Sequence, residues 1–144
     1  MKKITLILCF TALLGCSKSD NSPNCNLLFD AGVNLTVNTN LPQFSQLQFN
    51  SNAVYVANQG NNGIWLYRLT STTLYAWDAA DPSLPPSACS TLTFVSGDIV
   101  ESNCDNVNQY SLSTGFGFEG NTLPCTLKPY RVDDLGNGQY LVSN

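Results

Sequence analysis

Histidine is absent from this chain of 144 residues, and charge is scarce, with Asp, Glu, Lys and Arg making up 11% of it. Each absence excludes a class of chemistry. Without imidazole there is no proton acceptor poised near neutral pH, and no nitrogen ligand for zinc, copper or iron. Ser–His–Asp and Cys–His hydrolases are therefore excluded. The chain has six Lys and Arg against ten Asp and Glu. Lys2 and Lys3 belong to a removable leader, so four basic residues face ten acids in the mature chain, a net of −6. That sign makes nucleic acid a poor partner. Past the leader no apolar run nears the roughly 20 residues that span a bilayer, and no segment sustains a helical period.

The first residues read as an address. Lys2-Lys3 precede the apolar run 4–14, and Leu13-Leu14-Gly15-Cys16 ends it with a small residue before a cysteine. This pattern resembles a bacterial lipoprotein signal. It implies that residues 1–15 are cleaved and that Cys16 becomes the lipidated N-terminus, so the partner here is the membrane, reached through lipid. Residues 16–24, with Ser17-Lys18-Ser19-Asp20-Asn21-Ser22-Pro23-Asn24, form a flexible tether. Residues 25–144 remain as one domain, long enough for a single core.

With Cys9 in the leader and Cys16 at the anchor, Cys25, Cys89, Cys104 and Cys125 are left, an even number suited to disulfides outside the cytosol. Two β-forming runs flank Ser96-Gly97. Folding them about that turn opposes Val95 to Asp98, Phe94 to Ile99 and Cys89 to Cys104. Cys25–Cys125 follows by elimination. No Cys-x-x-Cys spacing suggests zinc.

The body alternates short β-forming runs with Asn, Gly, Ser and Pro. Strands are expected at 33–37, 46–49, 53–57, 63–69, 73–77, 91–95, 98–102, 109–112, 127–132 and 139–142, giving an all-β antiparallel sandwich or partly open barrel of about ten short strands with little helix. Along 63–69 both faces are apolar, which predicts a central strand buried on both sides. Trp65, Tyr67, Tyr75 and Trp77 then belong to the core rather than to a stacking platform. Three prolines in Asp81-Pro-Ser-Leu-Pro-Pro-Ser-Ala-Cys89 exclude an interior strand there.

Several of these segments fall in a familiar order. Gly63-Ile64-Trp65-Leu66-Tyr67-Arg68 and Leu74-Tyr75-Ala76-Trp77-Asp78 precede Asp81-Pro82-Ser83; Asn103-Cys104-Asp105-Asn106 precedes Tyr110-Ser111-Leu112-Ser113-Thr114-Gly115; Leu123-Pro124-Cys125, Leu127-Lys128-Pro129-Tyr130-Arg131-Val132 and Gln139-Tyr140-Leu141-Val142 follow. The order resembles the Rieske domain, and implies its β frame. A Rieske [2Fe–2S] centre is held by two Cys and two His. Here the first loop has Asp81 and Ser83 at those places, and the second has Asn103 and Asn106, or Cys104 and Val107 if shifted by one. These hard donors do not replace thiolate and imidazole, so the family's cofactor is not expected.

Other chemistry has no clear pattern. Asp78, Asp81, Asp98, Glu101, Asp105 and Glu119 are too scattered to specify a glycosidase pair. Asp78, Asp81 and Asp105 could together take Ca²⁺ through oxygen. Gly115-Phe116-Gly117-Phe118-Glu119-Gly120 leads into no helix and is not a nucleotide loop. The expected protein is a lipid-anchored envelope domain, periplasmic or cell-surface, that keeps a Rieske-like frame without its cluster and serves as a non-catalytic binding or assembly protein, with an envelope protein as possible partner. The alternatives are an electron-transfer accessory whose [2Fe–2S] centre a partner completes, and a surface domain stabilised by a divalent metal. The loops around Asp81 and Asn103 are the expected functional surface.

Overall fold

The computed structural model describes residues 23–118 and 123–144. The leader 1–15, Cys16, most of the tether and Glu119 lie outside them. Nine strands and one 3-10 helix follow in the order β1 (Asn34–Asn38), the helix (Pro42–Gln48), β2 (Asn52–Val56), β3 (Ile64–Arg68), β4 (Leu74–Asp78), β5 (Thr93–Ser96), β6 (Ile99–Glu101), β7 (Gln109–Ser111), β8 (Pro129–Gly136) and β9 (Gln139–Ser143). The fold is all-β, as the alternation of short runs implies. No described helix is long and apolar enough to cross a membrane.

Six strands in the order β1-β9-β8-β4-β3-β2 form a sheet curled into a half-barrel, and β5-β6-β7 form a second, smaller sheet. Every pairing is antiparallel. Strand β8 serves two neighbours: Pro129 and Tyr130 pair with β4, and Arg131 onward pairs with β9. Beyond β4 the chain continues through an Ala80–Thr91 bridge, and Leu92 N–H donates to Ala79 O at 2.7 Å, which joins the small sheet to the large one.

Strand β3 is buried along its whole length. Its alternation divides the core in two. Ile64 and Leu66 enter one cluster with Val37, Phe44, Leu47, Leu74, Ala76 and Val142. Trp65 and Tyr67 enter the other, between the sheets, with Ala79, Leu92, Val100, Tyr110, Leu112 and Leu127. Tyr75 and Trp77 pack against that second cluster. Leu66 has no exposed surface, and emptying such a site costs about 2–5 kcal/mol. Arg68, at the end of β3, is buried with no carboxylate beside it among the described residues. Its Nε donates to Leu47 O at 2.7 Å and its guanidinium lies 4.8 Å from the centre of the Tyr140 ring.

Three expectations need correction. The run 46–49 is not a strand; it ends the 3-10 helix. Pro42 opens that helix, where its missing N–H costs nothing. Phe44 and Leu47, three apart, both reach the core, because a 3-10 turn of three residues superposes i and i+3. The Ser96-Gly97 hairpin is also displaced by one residue. Phe94 opposes Val100 and Ser96 opposes Ile99, with a bulge at Val95, so the turn residues are Gly97 and Asp98. Gly97 has φ +62°, the conformation such a turn requires. Lastly, β8 runs on to Gly136, and the reversal to β9 is Asn137-Gly138, both at positive φ, as in a type I′ hairpin.

Both expected disulfides are present. Cys89 joins Cys104 across a separation of 15 residues, and Cys25 joins Cys125 across 100. Because of the bulge, Cys89 and Cys104 are not held by the strand register. Asn103 N–H donating to Cys89 O at 2.8 Å brings their backbones together.

Candidate functional site

Asp81 and Ser83 lie where β4 has left its sheet. Asp81 N–H donates to Ser90 O at 2.8 Å, so the backbone is still paired there. The following Pro82 has no N–H to donate and starts a turn. Asp81 is fully buried, and its carboxylate is closed off by three donors. Ser83 N–H and the Tyr110 hydroxyl reach Oδ1 at 2.9 and 2.8 Å, and Asn108 Nδ2 reaches Oδ2 at 2.9 Å. The Tyr110 proton is committed to Asp81, so the Ser83 hydroxyl, 2.9 Å away, donates to the Tyr110 oxygen. Burial first, and then the neighbouring carboxylate, push the Tyr110 phenol above its ordinary range, against the lowering effect of Ser83. Tyr110 stays protonated across the physiological range and cannot serve as an acid or base there.

The second loop does not meet the first through the expected residues. Asn103 and Asn106 are exposed, as are Asp105 and Val107. The base of the loop explains this. Ser102 N–H donates to Asn108 O, and Asn108 N–H to Ser102 Oγ, at 3.0 and 3.1 Å. This closed pair turns 103–107 outward and leaves Asn108 and Tyr110, not Asn103 and Asn106, facing Asp81. Shifting the register by one does not change this, since Cys104 is in its disulfide and Val107 is exposed.

Asp78, three residues earlier, is a second sealed carboxylate. Asn61 N–H, Asn61 Nδ2 and the Tyr130 hydroxyl reach Oδ2 at 2.9, 2.7 and 2.5 Å, and Ala80 N–H reaches Oδ1 at 2.9 Å. Burial, with Asp78 next to it, raises the Tyr130 phenol as well. Gly60, at φ +61°, lets the loop close over this pair, because a Cβ there would sit 2.5 Å from the Tyr130 oxygen.

The Ca²⁺ arrangement fails on this geometry. Asp78 and Asp81 are fully buried and each accepts at least three bonds from protein donors, and Asp105 is exposed on the outward loop. Among the described residues no three His, Cys, Asp or Glu side chains gather as a metal site. Nor do the residues fit a [2Fe–2S] cluster: the first-loop carboxylate is engaged by three donors and the second-loop candidates point away. Asp98 is a third acceptor, at the surface. Burial works to raise it, but hydrogen bonds from the Ser111 and Ser113 hydroxyls, at 2.6 and 2.5 Å, and from Ser113 N–H outweigh that and hold it below the usual carboxylate range.

The loops therefore form a tip held rigid from within, with a polar knot of Asp81, Ser83, Asn108 and Tyr110 beneath the Cys89–Cys104 bridge. Asn108 and Tyr110 were not singled out from the sequence. Tyr110 had a readable signal: it alternates with Gln109 and Ser111 toward the core, and an inward tyrosine needs an acceptor for its hydroxyl.

No protein-family model matches the chain, and no curated protein matches it. Among solved structures it is similar to a crystal structure provisionally described as the small subunit of an NADPH nitrite reductase. The two are 22% identical, over 75% of this chain and 97% of the other, with a TM-score of 0.40.

Proposed function

We propose that this protein is an exported, lipid-anchored envelope domain on a Rieske-like frame without the cluster, acting as a non-catalytic binding or assembly protein. The sealed Asp81 carboxylate is the observation that carries this reading. In the Rieske resemblance Asp81 stands where a cluster ligand would be, and here all its partners come from the chain itself. A group with no free lone pair facing solvent neither ligates nor transfers protons; it holds loops in place. What the tip offers a partner is then its outer surface, including Asn103, Asp105, Asn106 and Val107, on a loop pinned by Cys104 and by the Ser102–Asn108 pair. Such pinning reduces the entropy lost on binding.

The lysines before the apolar run and Gly15-Cys16 support export and lipid attachment. The two disulfides agree with a compartment outside the cytosol. Stable anchoring by lipid takes more than one acyl chain, at about 0.8 kcal/mol per buried CH₂. The test is fractionation of cells expressing the wild type or Cys16→Ser. The wild type should stay with membranes through a high-salt wash and the variant should be soluble. A variant that still sediments with membranes would refute the anchor.

A further inference from the structure

The small sheet and the large sheet each have an open edge, β5 and β2, and the two edges line a common cleft. Two exposed aromatic side chains, with the nearly buried Trp65 between them, form its floor. Tyr55 and Phe94 are 42% and 46% exposed and flank Trp65, with ring centres 5.3 and 6.0 Å from its own. Tyr55 and Phe94 form a contiguous exposed patch around Trp65, and such patches, unlike single exposed side chains, mark binding grooves. Two of these rings, Trp65 and Tyr55, are also held in place. Trp65 Nε1 donates to Leu92 O at 3.0 Å and the Tyr55 hydroxyl to Asn62 O at 2.8 Å. The Tyr55 ring lies against Gly63, where a Cβ would come 2.5 Å from a ring carbon.

The walls are as informative as the floor. On one side stand Gln43, Gln46, Ser51 and Asn52. Gln43 and Gln46 are three apart on the 3-10 helix, so they share a face, an exposed one separate from the buried face of Phe44 and Leu47. On the other side, past Tyr55, the loop contributes Asn58 and Gln59, while the Asn61 and Asn62 amides are engaged within the protein. No residue lining the cleft is charged. The portion beside the helix has a volume of about 420 Å³, within the roughly 300–1,000 Å³ of small-molecule sites.

We propose that this cleft binds a neutral, linear oligosaccharide. Amide and hydroxyl side chains match the donors and acceptors of sugar hydroxyls, and aromatic faces match the apolar C–H faces of pyranose rings. The absence of any cation in the lining, in a chain with excess acid, disfavours phosphates and acidic glycans. Tyr55 and Phe94 lie on either side of Trp65, inclined to it by 50° and 39°, so successive sugar units of a linear chain could reach one exposed ring each. Aromatic floor, amide walls and preset rings together limit the ordering cost of such a ligand. The site does not depend on how the chain is anchored.

The test is titration of the full chain with soluble hexasaccharides of β-1,4-glucan, β-1,3-glucan, β-1,4-mannan and α-1,4-glucan, followed by Trp fluorescence and calorimetry. At least one should bind with a Kd below about 1 mM. Phe94→Ala, and separately Gln43→Ala with Gln46→Ala, should each weaken it at least tenfold, with melting temperatures near wild type because these side chains are exposed. Phe116→Ala, at a distant exposed ring, should leave binding unchanged. Binding by none of the four, binding indifferent to Phe94→Ala, or preferential binding of an extended peptide in the same cleft would overturn the proposal.

Discussion

Removing one oxygen from the tip, by Tyr110→Phe, isolates the contribution of the polar knot. The phenyl ring still fills its place between the sheets, so no apolar burial is lost. What disappears is the bond from the hydroxyl to Asp81 Oδ1 at 2.8 Å, and the acceptor for the Ser83 hydroxyl. A hydrogen bond to a charged group is worth about 1.5–3 kcal/mol. Ser83 is only partly buried and can turn to water, so its share is small. Asp81 keeps Ser83 N–H and Asn108 Nδ2, which prevents the larger penalty of a stranded buried charge. The expected loss is about 2 kcal/mol, or roughly 5–10 °C in melting temperature for a domain of this size. Urea and thermal unfolding at neutral pH with the disulfides intact should show it, and Ser83→Ala should cost less than half as much. If Tyr110→Phe unfolds within about 0.5 kcal/mol of the wild type, an ordinary surface-level change, then the knot does not hold the tip and the argument for a structural Asp81 fails.

Other outcomes follow from the same structure. Tyr110 and Tyr130 have phenols raised in the folded state, so their contribution is complete below the unfolded tyrosine pKa of about 10 and declines as pH climbs above it; alkaline unfolding followed by circular dichroism should be less steep in Tyr110→Phe. Asp98 is lowered in the folded state, so its contribution is complete above the unfolded value and is lost as pH falls through the folded one; Ser111→Ala with Ser113→Ala should move its NMR titration upward and flatten the acid limb. Asn103→Ala with Asn106→Ala, both exposed, should change stability by less than about 0.5 kcal/mol, and a larger loss would mean that the outer loop is part of the fold.

Strand positions were legible because a period of two is a direct statement about burial. The doubly apolar run at 64–68 could only be a strand covered on both faces, and β3 is that strand. Failures came where local geometry has a different period or an extra residue. Gln46, Leu47 and Gln48 alternate like a strand, but Pro42 and the three-residue spacing of Phe44 and Leu47 had already begun a 3-10 turn. The bulge at Val95 shifts the hairpin by one while leaving its cysteines close enough to bond. Asp133, Asp134 and Leu135 have the composition of a turn, yet β9 holds them in β8 and Asn137-Gly138 does the turning. At the tip, sequence spacing brought attention to Asp81 and Ser83, which do meet. It could not reveal that the Ser102–Asn108 pair turns Asn103 and Asn106 outward, because that depends on one backbone bond and one backbone-to-side-chain bond formed only after folding.

The central claim is that the chain's own donors close the place where the Rieske resemblance would put a cluster. Anaerobic treatment of the purified full chain with ferrous iron and sulfide, then gel filtration, iron analysis and a visible absorption spectrum, tests it most directly. The account predicts a colourless folded protein with no bound iron and no iron–sulfur bands; a stable coloured species carrying about two irons per chain, the content of a [2Fe–2S] centre, would contradict it.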